Sequence, residues 1–349
     1  MTVENAPEKS VDAVPDSHPA GGPAKGRKPR QRIRWEQYGT ILFFFAFFAF
    51  VGVMEGSTFL SWNNVFTALA QNGYLTFVAV AATIVLINGQ FDLSLGAMAG
   101  FAAVLTAGLT SMQALPIWLA ILVTVGIGCL LGLVNGFLVT KLKINVFIAT
   151  LGTSGVVAGA ALIYAEGQII YDGIPESLTD FGVSKGPGGL PNIIWLPLIL
   201  GAVMWFVTKK TVLGRYWYAV GSNAESSRLA GINVNRMVLL SLVFAGGLAA
   251  LGGIMFTTRF GSVDPSIGPG FLLPAYAAAF LGSSILSDGR FSVVGTIIAT
   301  FLVAFAQSGL LIMGLNFAAQ IFNGIVLVAA VAINEELRRR VKKVVRKPA

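Results

Sequence analysis

Asp92, in the stretch NGQFDLSLGA (88–97), is the only charged side chain between Glu55 and Lys141. A carboxylate alone in so apolar a region can serve a passing solute, or it can start a helix by accepting from its first backbone N–H groups. Other reactive groups are scarce. The single cysteine, Cys129, lies in an apolar run, and the single histidine, His18, lies in a polar N-terminal stretch. The sequence offers no His/Cys/carboxylate cluster for a metal or a nucleophile. It also has no G-x-x-x-x-G-K-[ST] phosphate loop. No cofactor and no ATPase site are expected on this chain.

Neutral polar residues inside apolar runs form a second group: Asn72, Asn88, Asn135, Thr150, Thr153, Gln307, Gln320 and Asn323. They could offer hydrogen bonds to a hydroxylated solute. The alternative for each is an interhelical hydrogen bond, worth about 0.6 kcal/mol on average. A third group lies in TVLGRYWYAVGSNAESSRLAGINVNRM (211–237). There Ser222 and Glu225 fit a capping box, and Gly231 followed by Ile232 fits a helix stop. The expected product is a helix of about two turns over Asn223–Ala230. So short a helix is unstable alone in water, so it must lean on the rest of the chain or on a partner.

The elements that must position these residues follow from composition. Of 349 residues, 55% are hydrophobic and 11% charged, with a mean hydropathy of +0.76. Continuous apolar runs about twenty residues long read as membrane-crossing helices, since lipid leaves backbone groups no other partner. Ten such spans are expected, within Gly39–Met54, Val65–Ile87, Leu93–Met112, Leu115–Thr140, Val146–Ala165, Ile193–Val207, Met237–Thr257, Phe271–Ile285, Val293–Met313 and Phe317–Ile333. Residues 1–38 form a disordered basic tail, 39–334 the membrane domain with a short cytoplasmic helix within 222–232, and 335–349 a basic C-terminal tail.

Charge tests the topology. With both termini in the cytoplasm, only Lys185 and Arg259 of the 24 Lys and Arg fall outside, as the positive-inside rule requires. The net charge of +8 is then explained by anionic lipid and topology, and no nucleic acid is implied. The external segment Glu166–Asn192 is acidic, either as a tolerated loop or as a docking surface for an extracytoplasmic partner. Two further features remain open. Gln71-Asn72-Gly73 interrupts the second span, as a satisfied kink or as part of a binding site. Gly128, Gly132 and Gly136, with Gly155 and Gly159 in the next span, favour close helix packing within the chain or between copies.

On this topology Asp92 lies at the cytoplasmic turn between spans two and three, directly before a helix beginning at Leu93. Losing an N-cap acceptor costs about 1 kcal/mol. An unpaired acid at the bilayer centre costs about 2.5–3.5 kcal/mol. Capping therefore explains Asp92 at lower cost, with direct solute contact as the alternative.

Three motifs carry a family resemblance. YAVGSNAESSRLAGINV (218–234) resembles the G-x-N-x-x-A-A-R-x-x-G-I coupling loop of permease subunits of ribose-type sugar ABC importers. Gly221, Asn223, Arg228, Gly231 and Ile232 match, and Ser226-Ser227 replaces Ala-Ala. INGQFDLSLGA resembles that family's G-G-I-D-L-S-V-G, with Gly89, Asp92, Leu93, Ser94 and Gly96 matching. The stretch 246–296 is similar to its long second-half signature. The resemblance implies an all-α polytopic, type II-like ABC importer permease bundle in the bacterial cytoplasmic membrane. It also implies separate ATP-binding subunits that carry ATP and Mg, an extracytoplasmic substrate-binding protein, and a second permease copy, identical or not. Coupling to the ATPase would rest on Gly221, Ser222, Asn223, Glu225, Arg228 and Gly231, and the solute would be a monosaccharide or related polyol. A branched-chain amino acid or nucleoside permease is the nearest alternative. An ion-coupled transporter would need paired acids or histidines in the membrane, which the sequence lacks.

Overall fold

A computed structural model describes residue 2 and residues 35–286, 289–315 and 317–345. The described residues form thirteen α-helices and one short 3₁₀ turn. They are α1 Trp35–Phe59, α2 Trp62–Ile87, α3 Leu95–Ser111, α4 Ile117–Thr140, α5 Val146–Tyr164, α6 Glu176–Val183 and α7 Asn192–Lys210. Then follow α8 Val212–Ser222, α9 Ala224–Leu229, α10 Val234–Phe260, α11 Pro269–Leu286, α12 Val293–Ile312 and α13 Ala318–Val345. Eight are long and apolar enough to cross a membrane, and Leu95–Ser111 and Pro269–Ile285 are shorter apolar helices. Each expected span falls on one of these ten.

The ends and the continuity of several elements differ from expectation. Of the expected tail over 1–38, residues 1 and 3–34 lie outside the described residues, and α1 begins at Trp35. At the other end α13 carries its helix to Val345, so residues 335–345 continue the tenth span's helix. The second span is not interrupted: α2 is continuous through Gln71-Asn72-Gly73. Asn72 Nδ2 donates to the Ala68 carbonyl at 3.1 Å, satisfying itself within the helix. Gly73 is there for space, since a Cβ would stand 3.0 Å from the Ile193 carbonyl oxygen of α7.

The centre of the bundle is α2 and α10, with 83% and 72% of their apolar windows buried, against 22% for α4 and α5. Helices buried all round need no polar face, which is why these two read as unbroken apolar runs. The glycine row of α4 serves this chain's own packing. A Cβ at Gly128 would lie 2.5 Å from Ala250 Cβ, and one at Gly132 would lie 2.9 Å from Val243 Cα, both on α10. The small residues let the two backbones approach as side chains would not. Gly155 and Gly159 meet nothing within 4 Å. Hydroxyl pairs add to the packing, as where Thr83 of α2 meets Thr296 of α12 at 2.6 Å.

Candidate functional site

The loop between α7 and α10 contains two helices. The first, α8, is additional to the single short helix expected in this loop. Thr211 caps it by accepting from the Gly214 N–H at 3.3 Å. Its apolar side is buried through Trp217 and Val220, and Trp217 Nε1 donates to the Met237 carbonyl at 3.1 Å. Tyr218 donates from its hydroxyl to the Phe291 carbonyl at 2.8 Å. Burial pushes the Tyr218 phenol up to about 12, with the positive charge of Arg290 opposing the rise.

The chain leaves α8 at Asn223, whose backbone is extended at φ −160°. Asn223 therefore caps the next helix, accepting from the Ser226 N–H at 2.9 Å. The expected capping box between Ser222 and Glu225 does not form, because Ser222 is still the last residue of α8. Glu225 instead pairs with Arg228 at 3.0 Å. The helix is correspondingly shorter than Asn223–Ala230. The expected stop is present: Gly231 has φ +83°, a region open to glycine at little cost. Its N–H bonds Arg228 O at 3.0 Å, and the Ile232 N–H bonds Ser227 O at 2.9 Å, the two bonds of a Schellman ending. Ile232 packs on the core.

The short helix α9 thus has an inner and an outer side. Ser227 is buried, and its hydroxyl donates to the Asn223 carbonyl at 2.8 Å. A serine in place of the family's alanine is absorbed there. On the outer side Glu225 and Arg228 are exposed, and Leu229 is 83% exposed. The sequence signal for Leu229 is an apolar residue in an otherwise polar helical turn.

The two short motifs meet at the base of this unit. A Cβ on Gly221 would run into the Ile87 carbonyl oxygen, and one on Gly89 would lie 3.2 Å from Gly221 Cα. Gly89 also has φ +77°, so both its backbone conformation and its neighbour require glycine. From Gly89 the chain runs inward to Asp92. The helix begins at Leu95 and not at Leu93, so Ser94 is the residue directly before it. Asp92 Oδ1 accepts from the Ser94 N–H at 2.8 Å and from the Ser94 hydroxyl at 2.5 Å. It holds the turn that leads into α3 and does not accept from the helix's own first N–H groups.

Around this turn the helices are tied together. Asn135 Nδ2 donates to Ser94 Oγ at 2.8 Å, and Thr153 Oγ1 donates to Asn135 Oδ1 at 2.6 Å. The Leu93 N–H reaches Thr150 Oγ1 at 3.1 Å. The Tyr276 hydroxyl of α11 accepts from the Asp92 N–H and donates to the Asp92 carbonyl, at 2.9 and 2.8 Å. Phe91 stacks on the Tyr276 ring at 4.2 Å. Asp92 is fully buried, and its Oδ2 has no hydrogen-bond partner. Gly96, one turn on, lies against the Gly268 carbonyl.

Of the polar residues expected to offer solute contacts, Asn135, Thr150 and Thr153 come together at this turn. The rest lie apart. Asn88 donates to the Ser241 hydroxyl at 3.0 Å, Gln307 pairs with Asn323 at 2.7 Å, and Gln320 is exposed. Two cavities, of about 420 and 190 Å³, are lined by none of them. Interhelical bonding thus accounts for most of the set. Among the described residues no three His, Cys, Asp or Glu side chains come together.

Comparison with known proteins places these motifs. Residues 64–331 match the family model described as "Branched-chain amino acid transport system / permease component". The chain is 34% identical over 286 residues to the ribose import permease protein of Haemophilus influenzae, covering 80% of this chain and 88% of that one. It is 28% identical over 301 residues to the D-allose transport system permease protein of Escherichia coli, covering 86% and 92%. It is 30% identical over 295 residues to the fructose import permease protein of Rhizobium meliloti, covering 82% of each. No solved structure matches the chain.

Proposed function

The chain belongs to the family of branched-chain amino acid transport system permease components, and from that premise we propose that it is the multi-pass membrane subunit of an ATP-driven monosaccharide importer. The relatives' names support the solute class, being permeases for ribose, D-allose and fructose. The observation that carries the mechanism is the form of α9. It is capped at both ends and seated on the bundle, and it presents Glu225, Arg228 and Leu229 outward.

In this reading ATP is hydrolysed on separate chains. Their movement is received by α9 and passed through Gly221 to Gly89 and the turn of Asp92, which is bonded to α4, α5 and α11. An extracytoplasmic binding protein delivers the sugar, and a second permease copy completes the pathway. Coupling of this kind requires that α9 make different contacts in the two states of the importer.

The test is uptake by the assembled importer in proteoliposomes, with radiolabelled D-ribose, D-allose, D-fructose and L-leucine. ATP-dependent uptake of a sugar is expected. The family description mentions branched-chain amino acids, so uptake of leucine alone would favour that second reading.

A further inference from the structure

The helix α7 ends in Lys209 and Lys210, and α8 begins one residue later. Thr211 makes the bend between them. Its backbone is extended, at φ −97° and ψ 163°, and its hydroxyl donates to the Val207 carbonyl at 2.6 Å while accepting from the Gly214 N–H. The 19 residues of α7 span about 28 Å at 1.5 Å per residue, close to the thickness of a hydrocarbon core. Its two lysines therefore stand at the edge of the bilayer, on the cytoplasmic side in the positive-inside topology.

Beyond the bend α8 lies across the ends of other spans. Trp217 donates to the Met237 carbonyl near the start of α10, and Tyr218 donates to the Phe291 carbonyl just before α12. Gly221 lies against Ile87, the last residue of α2. The side of α8 turned to the bundle is Gly214, Trp217 and Val220. Val212, Arg215 and Tyr216 are exposed. A helix surface that is apolar and cationic at once suits neither water nor hydrocarbon, and it fits the headgroup layer between them.

The charge at this corner is unopposed. Between Asp180 and Glu225 the sequence has no acidic residue, and among the described residues no carboxylate pairs with Lys209, Lys210 or Arg215. Lys209 Nζ is 5.1 Å from the centre of the Tyr218 ring, and Lys210 Nζ is 5.8 Å from that of Trp205. Aromatic faces orient the ammonium groups without neutralising them. From Lys210 an exposed apolar strip of Phe206, Val203 and Ile199 runs back along α7 at intervals of three and four residues. That strip lies within the span, where a lipid chain reaches and a soluble protein does not.

We propose that the corner between α7 and α8 binds an anionic phospholipid of the cytoplasmic leaflet, its phosphate held by Lys209, Lys210 and Arg215 and an acyl chain lying along Ile199, Val203 and Phe206. Three cations without acids favour a net negative headgroup over a zwitterionic one, whose own positive group they repel. Trp205 and Tyr216 flank the cations at the depth where amphipathic rings settle. The bound lipid fixes the start of α8 to the leaflet.

The test uses the full chain in phosphatidylcholine vesicles, with Cys129→Ala as background and a bimane label on Val203→Cys. Part of the lipid is replaced by phosphatidylglycerol brominated in its acyl chains, and the quenching is compared with that by brominated phosphatidylcholine. Phosphatidylglycerol should occupy this position at least threefold more strongly. The same label on Leu122→Cys, exposed on α4, should show no preference. Lys209→Gln with Lys210→Gln and Arg215→Gln should abolish the preference at Val203→Cys while leaving the quenching at Leu122→Cys unchanged, which shows that the variant still inserts. Equal quenching by the two lipids at Val203→Cys overturns the proposal, and so does a preference that survives the triple substitution. The preference should also persist when the ATP-binding subunit is bound, and that subunit should co-purify with the triple variant within twofold of wild type. Loss of the preference on assembly, or a tenfold fall in co-purification, would assign the corner to the subunit and overturn the lipid site.

Discussion

Gly89 and Gly221 pack backbone against backbone, a Cβ on the first lying 3.2 Å from the Cα of the second. The contact joins two motifs that are far apart in sequence. On one side is the end of α8, directly before the short helix that presents Leu229. On the other is the turn that leads to Asp92 and, through Ser94, Asn135 and Tyr276, to three more helices. Close packing transmits displacement because neither side can give way without a steric clash.

Gly221→Ala should therefore break this junction. The added methyl meets the Ile87 carbonyl oxygen, and relief requires α8 to move off α2. Overpacking of this kind costs about 1–3 kcal/mol. Thermal unfolding in detergent should show the loss, and Gly155→Ala, which meets nothing within 4 Å, should leave the isolated subunit's unfolding temperature unchanged.

Asp92→Asn and Asp92→Ala separate charge from hydrogen bonding. Asparagine keeps an acceptor for the Ser94 N–H and hydroxyl, and alanine removes it. The alanine variant should be destabilised by about 1–3 kcal/mol, the cost of leaving buried donors unpaired. The asparagine variant should insert and import normally. Loss of import by a well-folded Asp92→Asn would instead assign the charge a direct role.

Leu229→Asp tests the outer side of α9. The side chain is 83% exposed, so the change should not affect folding. An apolar anchor at the centre of an interface often carries a large share of its affinity. Co-purification of the ATP-binding subunit should fall about tenfold or more, with the permease still at wild-type level in the membrane.

The bundle itself was legible because lipid demands continuous apolar helices, and each expected span lies on a helix of the structure. Local ends were harder. Ser222 and Asn223 are both good caps, and the choice between them depends on where α8 ends. That end is fixed by Trp217, Val220 and Gly221 packing on distant helices, which no local pattern records. Gln71-Asn72-Gly73 looked like a break, yet Asn72 satisfies itself within α2 and Gly73 accommodates Ile193. Of the polar residues the types were readable, but their partners were not. Thr153 meets Asn135, and Gln307 meets Asn323, only because the helices cross there.

The most direct test of coupling through α9 is the double variant Glu225→Ala with Arg228→Ala. The pair is exposed on both sides, and such a bridge contributes about 0–1 kcal/mol, so the variant should fold and insert. Sugar uptake and ATP hydrolysis should be measured together in proteoliposomes holding the complete importer. The expected result is ATP hydrolysis with uptake reduced at least tenfold. Wild-type uptake per ATP hydrolysed would contradict a coupling role for α9.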